Sequence, residues 1–311
     1  MSSFQTYLEA RRSVDDRALH DRVFEAFGDG VAELAAGNGD PLRIVEVGGG
    51  IGTMIARLVE WDVFSGSVRY RLIDRDADTI DRARERLPDW LTAAGCDVER
   101  TSTGLVARSS RTRTDAAAGL DLEVIFETGD AFDGSPDEMT TDAVIGSAVF
   151  DLLDLERALS WVESVMRPGG LFYAPLTYDG ATRFTPADPF DGRLERLYHR
   201  HMDKVRDEPG GSRAGRRLVE LLESDDRPFE VLEVGASKWV LRPQDRSPPV
   251  ASAERVVTRY LLETIDDALS DYAVEMVDPR NRRRWRHRRA EELATGELTV
   301  RVRHVDVLAR R

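Results

Sequence analysis

The chain has 311 residues, a net charge of -13 at pH 7, and one cysteine, Cys96. One cysteine excludes internal disulfides and cysteine-based metal clusters, and the five histidines are scattered, so we expect no metal site. The sequence has no apolar run of about 18 residues and no apolar signal region near its start, which predicts a cytoplasmic protein without membrane contact.

Arginine supplies almost all of the positive charge, because Lys204 and Lys238 are the only lysines. An acidic, lysine-poor surface stays hydrated in high salt, where charge repulsion is screened, and it favours a halophilic source. A GC-rich genome that prefers arginine codons explains the same composition equally well. The negative charge argues against a nucleic-acid partner without excluding one.

The first 40 residues are predicted to form an N-terminal helical segment. Leu19, Val23 and Phe27 repeat along one helical face, and Gly28 and Gly30 then interrupt the pattern. We expect residues 41–311 to form the core of the protein, with inserted cap segments at about 177–227 and 250–296.

Residues 42–74 have the pattern of a nucleotide-binding unit. Residues 42–47 are a short apolar run that suits one buried parallel strand. A glycine-rich turn follows, and one apolar stripe then predicts a helix, formed by Ile51, Met54, Ile55, Leu58 and Val59. A second strand, 68–73, ends in Asp74. Strand, glycine turn, helix, strand and acid in this order are typical of half of a doubly wound sheet.

The turn reads Glu46-Val47-Gly48-Gly49-Gly50-Ile51-Gly52. This spacing resembles the E/D-x-G-x-G-x-G motif of class I S-adenosylmethionine-dependent methyltransferases. The resemblance implies that Glu46, Gly48, Gly50 and Gly52 surround S-adenosylmethionine. It also implies that Asp74 holds the ribose, a role that suits a carboxylate because it can accept from two vicinal hydroxyls. The dinucleotide motif G-x-G-x-x-G would need a glycine at the position of Thr53, so the turn fits this motif less well. A nicotinamide-dependent oxidoreductase is the alternative function.

Two later turns extend the resemblance. A third strand, 122–127, leads into Gly129-Asp130-Ala131-Phe132, which resembles the family's adenine-binding turn. The resemblance implies that Asp130 accepts from the adenine amino group and that Ala131 and Phe132 lie beside the ring, although Asp130 could also simply cap a turn.

Before the third strand, residues 95–121 are polar and are interpreted as an inserted hairpin or loop with a basic patch at Arg108, Arg111 and Arg113.

The fourth predicted strand, 142–146, precedes residues that should line the site. Ligands of open α/β sheets bind beyond the carboxyl ends of the strands near the switch point, so we assign Ser147 to the cofactor and Asp151 to the acceptor. The run V-M-R-P-G-G-L-F-Y, ending in the fifth strand, 171–176, closely resembles the family's turn at that place. A sixth strand at 229–241 follows, and the resemblance makes 298–308 an antiparallel strand between five and six.

The expected fold is therefore a Rossmann-like α/β domain with a seven-stranded, mostly parallel sheet and helical cap insertions. In the first insertion, Tyr178 and Phe184 belong to a predicted aromatic loop. A helix follows whose apolar stripe includes Tyr198 and His201 and leaves His199 on the outward face. We assign His201 as a catalytic base and Tyr178 as a positioning group, with Tyr198 and Phe184 near the acceptor. The alternative for His201 is a core histidine bonded to a backbone carbonyl.

The second insertion carries a long apolar stripe and an arginine run. The stripe over 253–276 predicts a helix that caps the pocket or pairs with its copy in a homodimer. Residues 280–289 hold seven arginines around Trp285, which suits either RNA binding or neutralisation of nearby acids.

The sequence as a whole predicts methyl transfer from S-adenosylmethionine to a small or medium-sized organic acceptor by in-line displacement. An RNA methyltransferase or RNA-interacting protein that uses the arginine run is a further alternative.

Overall fold

The computed structural model describes residues 3–37, 41–109, 119–133, 141–204, 210–270, 272–273 and 276–311. Within these ranges nine strands form one sheet. They are β1 (Leu42–Val47), β2 (Gly66–Asp74), β3 (Asp97–Arg100), β4 (Gly104–Ser109), β5 (Leu120–Thr128), β6 (Thr141–Ile145), β7 (Met166–Thr185), β8 (Glu230–Leu241) and β9 (Thr299–Arg310).

The strand order is β3-β4-β5-β2-β1-β6-β7-β9-β8. Strands β5, β2, β1, β6 and β7 are parallel, whereas β9 runs antiparallel to both β7 and β8. The predicted Rossmann-like sheet, with its antiparallel last strand between the fifth and the sixth, is confirmed.

The predicted strand count of seven is wrong, because an antiparallel hairpin, β3–β4, extends the sheet beyond β5. A Cβ atom at Gly104, where β4 begins, would lie 1.8 Å from the carbonyl oxygen of Val124, so the hairpin needs glycine there. In the predicted basic patch, Arg108 forms an ion pair with Asp121 across the strands. Arg111 and Arg113 lie outside the described residues.

Helices cover both faces of the sheet. They are α1 (Ser3–Asp16), α2 (Asp21–Gly37), α3 (Thr53–Glu60), α4 (Ala77–Ala93), α5 (Leu155–Val165), α6 (Asp191–Lys204), α7 (Ala214–Leu222), α8 (Pro248–Ser270) and α9 (Pro279–Thr295). Helices α2, α3 and α4 pack on one face, and α5 and α7 pack on the other. Helices α1, α6, α8 and α9 form a third apolar cluster with the ends of β7, β8 and β9. None of the described helices is long and apolar enough to cross a membrane.

Strand β7 is much longer than the predicted fifth strand. It has 20 residues, so Tyr178 and Phe184 lie in a strand and not in the predicted loop. The cause is strand β9, which pairs with β7 as far as Thr185 and places His304 opposite Tyr178. The helices that follow this strand begin only at Asp191.

Helix α8 ends at Ser270, so the predicted helix over 253–276 is too long at its C-terminal end. Its apolar stripe is already buried in the third cluster, and the buried residues include Val257, Leu262, Ile265 and Leu269. The stripe was the reason to expect a homodimer, and the chain itself covers it. The homodimer stays a prediction that light scattering can test.

The arginine run forms helix α9, and its centre points into the protein. Trp285 is only 1% exposed, and its indole Nε1 donates to Asp191 at 2.9 Å. Arg289 is buried and bonds both carboxylate oxygens of Asp191. A tryptophan held in this way cannot stack on a nucleic-acid base. Three further arginines of the run pair with acids outside α9, namely Arg282, Arg286 and Arg288.

Candidate active site

A cavity of about 670 Å³ lies at the carboxyl ends of β1, β2, β5 and β6. Helices α1, α6 and α8 contribute side chains to it, and β7, β8 and β9 form its far wall. Of the nine residues that the sequence assigned to the cofactor, eight line this cavity: Glu46, Gly48, Gly50, Asp74, Asp130, Ala131, Phe132 and Ser147. Gly52 does not.

The glycine turn joins β1 to α3 with an unusual backbone. Gly48 and Gly50 have φ angles of 62° and 57°, and a Cβ atom at Gly48 would lie 2.6 Å from a methyl carbon of Val149. Glycine is therefore needed both for the conformation and for the close packing. Gly52 is the left-handed N-cap of α3 and lies next to Leu87, so its role is to start the helix.

Asp74 connects the end of β2 to the glycine turn. Its Oδ2 accepts from the backbone N–H of Gly50 at 2.9 Å, and its Oδ1 accepts from that of Asp76 at 3.0 Å. Burial raises the pKa of Asp74, while the two backbone donors oppose the rise. Each carboxylate oxygen keeps acceptor capacity, so the side chain can still bind hydroxyl groups that enter the cavity.

Glu46 lies under the turn and is almost fully buried. Its Oε2 accepts from the hydroxyl of Tyr70 at 2.8 Å. Burial raises the pKa of Glu46 to about 8, although the hydrogen bond from Tyr70 and the charge of Arg57 act in the opposite direction. A buried carboxyl group of this kind favours a cationic partner, because a nearby positive charge stabilises its ionised form.

The turn after β5 forms the opposite end of the cavity. Oδ1 of Asp130 accepts from the backbone N–H of Phe132 at 2.9 Å, so Asp130 does cap its own turn, but its side chain also lines the cavity. Phe132 packs edge-on against Trp161, and the guanidinium of Arg157 lies 5.4 Å from the centre of its ring. The aromatic surface is thereby fixed in place.

Three of the five residues assigned to the acceptor or to catalysis line the cavity, namely Asp151, Tyr178 and Tyr198. Phe184 does not, because it packs against Trp285 with ring centres 5.6 Å apart. His201 is half-buried and is not part of the cavity lining. Helix α6 reaches the cavity through Tyr198 and Met202, and His201 flanks this face, three residues after Tyr198, without lining the cavity.

On α6, His199 contacts the cavity residue Tyr178, although the helical pattern places it on the outward face. Its Nε2 lies 2.9 Å from the hydroxyl of Tyr178. Burial raises the pKa of Tyr178 and lowers that of His199, so both side chains are neutral at pH 7 and the tautomer of the imidazole decides which of them donates. The pair connects the cavity wall to α6.

Other cavity residues were not predicted from the sequence, and they include Tyr7, Arg11, Trp239, Tyr260 and His304. Tyr7 of α1 stacks on Tyr260 of α8 with ring centres 4.1 Å apart. Burial lowers the pKa of His304 to about 3, and its Nδ1 has no hydrogen-bond partner within the described ranges. The one sequence signal for His304 was its alternation with Val300 and Val302 in the last strand.

The chain matches no protein-family model and no curated protein sequence. Solved structures with a similar fold include an S-adenosylmethionine-dependent methyltransferase of Geobacter sulfurreducens in complex with S-adenosylhomocysteine, at 16% identity and a TM-score of 0.43, covering 94% of this chain and 92% of that one. The corresponding complex from Thiobacillus denitrificans has 16% identity, a TM-score of 0.41, and 91% coverage of both chains. A candidate methyltransferase of Bacillus halodurans C-125 has 13% identity and a TM-score of 0.47, with 90% and 97% coverage. The strand order of the chain itself establishes that it has a Rossmann-like fold.

Proposed function

We propose that the protein transfers a methyl group from S-adenosylmethionine to a small or medium-sized organic acceptor. The observation that carries the proposal is the hydrogen bond between Asp74 and the N–H of Gly50, which sets an acid and a glycine turn side by side at the carboxyl ends of two neighbouring parallel strands. The Asp130–Phe132 turn opens into the same cavity. Strand β2, which ends in Asp74, lies between β5 and β1. The Asp130 turn, Asp74 and the glycine turn therefore follow one another in the same order as the adenine, the ribose and the amino-acid part of one S-adenosylmethionine molecule.

The residues that would hold the cofactor follow from this order. Asp74 would accept from the ribose hydroxyls, and Asp130, Ala131 and Phe132 would enclose the adenine. The glycine turn and Ser147 would lie along the amino-acid part, with Glu46 facing its ammonium group. When bound, S-adenosylmethionine supplies a methyl group that its sulfonium already activates, so the protein mainly aligns the acceptor and excludes water.

The rest of the cavity would hold the acceptor. Its wall is rich in aromatic side chains, with Tyr7, Tyr178, Tyr198, Trp239 and Tyr260 contributed by five different elements. Such a wall suits an organic molecule with apolar surface, and helices α1, α6 and α8, which also line the cavity, would limit its size. Tyr178, supported by His199, is the group best placed to hydrogen-bond the acceptor, and it replaces His201 as the first candidate for catalysis.

Two rival functions are separated by experiment. A nicotinamide-dependent oxidoreductase would bind NAD, and a binding protein without turnover would bind S-adenosylmethionine but release no S-adenosylhomocysteine. Isothermal titration of the purified protein with S-adenosylmethionine, S-adenosylhomocysteine and NAD tests the first. Incubation with methyl-labelled S-adenosylmethionine and a panel of phenols, carboxylic acids, amines and thiols tests the second. Binding of NAD alone would overturn the proposal.

A further inference from the structure

Helix α1 lines the cavity with four residues, the first of which is Phe4. Tyr7, Leu8 and Arg11 all line it, and a methyl carbon of Leu8 lies 4.0 Å from the position that a Cβ atom on Gly50 would occupy. The same helical face therefore covers the glycine turn. Arg11 follows Leu8 by three residues, so its side chain emerges close to Leu8, on the face that covers the turn.

The guanidinium of Arg11 is held in place by neighbouring side chains. Its Nε donates to Oδ2 of Asp15 at 2.9 Å, and Oδ1 of the buried Asp15 accepts from the indole N–H of Trp239 at 3.0 Å. Tyr7 is its other neighbour, with the ring centre 5.8 Å from the guanidinium carbon. An arginine has five N–H donors in a planar fork, so these partners leave donors for a further carboxylate.

The cavity lining contains two other arginines, Arg75 and Arg157. Arg157 packs over Phe132 and pairs with Asp133, and Arg75 directly follows Asp74. Arg11 instead lies near Glu46, and its charge stabilises the ionised form of that carboxyl group. A buried acid under the turn and a fixed cation above it together match a group that carries both an ammonium and a carboxylate.

We propose that Arg11 binds the carboxylate of the amino-acid end of S-adenosylmethionine, while Glu46 faces the ammonium group. This inference rests on the proposed function and adds to it a residue from outside the glycine turn. Cofactor binding is thereby linked to the docking of α1. Through Asp15 it is also linked to Trp239 in the acceptor wall.

The test compares two ligands that differ only at the amino-acid end. S-adenosylhomocysteine has the ammonium and the carboxylate, whereas 5′-methylthioadenosine keeps the adenine, ribose and thioether and lacks both. Isothermal titration with the Arg11→Gln variant is expected to show a loss of about 10- to 100-fold in affinity for S-adenosylhomocysteine. The affinity for 5′-methylthioadenosine is expected to stay within about twofold of that of the unchanged protein.

A matched control comes from the next residue of the same helix. Arg12 pairs with Glu60 and lies over Trp90, so Arg12→Gln weakens the docking of α1 without touching the cavity. The ratio of the affinities for S-adenosylhomocysteine and 5′-methylthioadenosine is expected to be the same in Arg12→Gln as in the unchanged protein. If Arg11→Gln does not fold, Arg11→Lys replaces it, because it keeps the charge, loses the planar fork and should still lower the ratio.

Each outcome decides the proposal. Equal losses for both ligands in Arg11→Gln, or no loss, would overturn it, as would the same loss of S-adenosylhomocysteine binding in Arg12→Gln. Normal cofactor binding combined with a lost preference for anionic acceptors would assign Arg11 to the acceptor and would also overturn it. Failure of the unchanged protein to bind S-adenosylhomocysteine would instead refute the proposed function.

Discussion

The hydroxyl of Tyr178 lies 2.9 Å from Nε2 of His199, which ties the cavity wall in β7 to the inserted helix α6. Tyr178 also lies 3.4 Å from the hydroxyl of Thr182 on its own strand. A proton released into the cavity could therefore pass through Tyr178 to a neutral imidazole, whereas His201 has no access to the cavity lining.

Replacing Tyr178 by phenylalanine should raise the pKa of His199. Burial lowers that pKa in the folded protein, and we expect the hydroxyl to donate to Nε2, which stabilises the neutral imidazole further. Loss of the donor should move the pKa back towards its ordinary value, which an NMR titration of the imidazole resonances measures. Tyr260→Phe, on α8, is the control and should leave His199 unchanged. An unchanged or lower pKa in Tyr178→Phe would argue against the donor role.

Replacing Asp74 by alanine should weaken S-adenosylhomocysteine and 5′-methylthioadenosine alike, because both carry the ribose. Two charge-assisted hydrogen bonds would be lost, each worth about 1.5–3 kcal/mol. The N–H of Gly50 would also lose its acceptor, which loosens the glycine turn. The control is Asp81→Ala, since Asp81 pairs with Arg84 on the exposed side of α4. Undiminished affinity in Asp74→Ala, measured by calorimetry, would remove the ribose assignment.

The buried Glu46 should make stability depend on pH. Its pKa is raised to about 8 in the folded protein from 4.5, so the folded state holds the proton more tightly than the unfolded chain. The contribution of this group to the free energy of unfolding is complete below about pH 4.5 and is lost as the pH rises through about 8.

Glu46→Gln removes this dependence, because glutamine has no charge to bury. In urea unfolding experiments, the free energy of unfolding of the variant, relative to that of the unchanged protein, should increase as the pH is raised from about 5 to about 9. Glu220→Gln changes an exposed acid and serves as the control with no such trend. A difference between Glu46→Gln and the unchanged protein that does not vary with pH would contradict the assignment.

The centre of α9 should matter for stability and not for nucleic acid. Arg289→Met leaves the carboxylates of Asp191 and Glu292 without their buried partner, which should cost about 3–5 kcal/mol in the free energy of unfolding. Arg283→Met, on the exposed side of the same helix, should change it by less than about 0.5 kcal/mol. Denaturant titration measures both, and similar values for the two variants would show that the buried pairs contribute little.

The sequence predicted that most residues proposed to hold the cofactor would lie together, and eight of the nine line one cavity, because each part of this group is local. Glu46, the glycine turn and Asp74 follow one another within a single strand-turn-helix-strand unit, and backbone requirements such as the positive φ of Gly48 restrict the residue type directly. The doubly wound sheet could be predicted for the same reason.

The residues proposed to face the acceptor could not be grouped from the sequence, because they meet only in the folded protein. Helical phase shows which side chains share a face but not which neighbour that face meets, so His199 and His201 could not be ranked before α6 was placed against β7. Phe184 lies in the same strand as Tyr178 but packs against Trp285 of α9 instead of lining the cavity, a contact that the local sequence does not show. Arg11 and His304 come from opposite ends of the chain and have no local motif.

The position of β9 has a consequence for biosynthesis. Strand β9 lies between β7 and β8 but follows both in the chain, so a ribosome releases β8 before the strand that attaches it to the sheet. Trp239, on β8, therefore lies in a segment without a strand partner until β9 is synthesised. The strand-turn-helix-strand unit of residues 42–74 can form earlier. The acceptor wall is completed only after translation of β9, and a nascent chain stalled before residue 299 should resemble a cofactor-binding fragment whose catalytic chamber is still open.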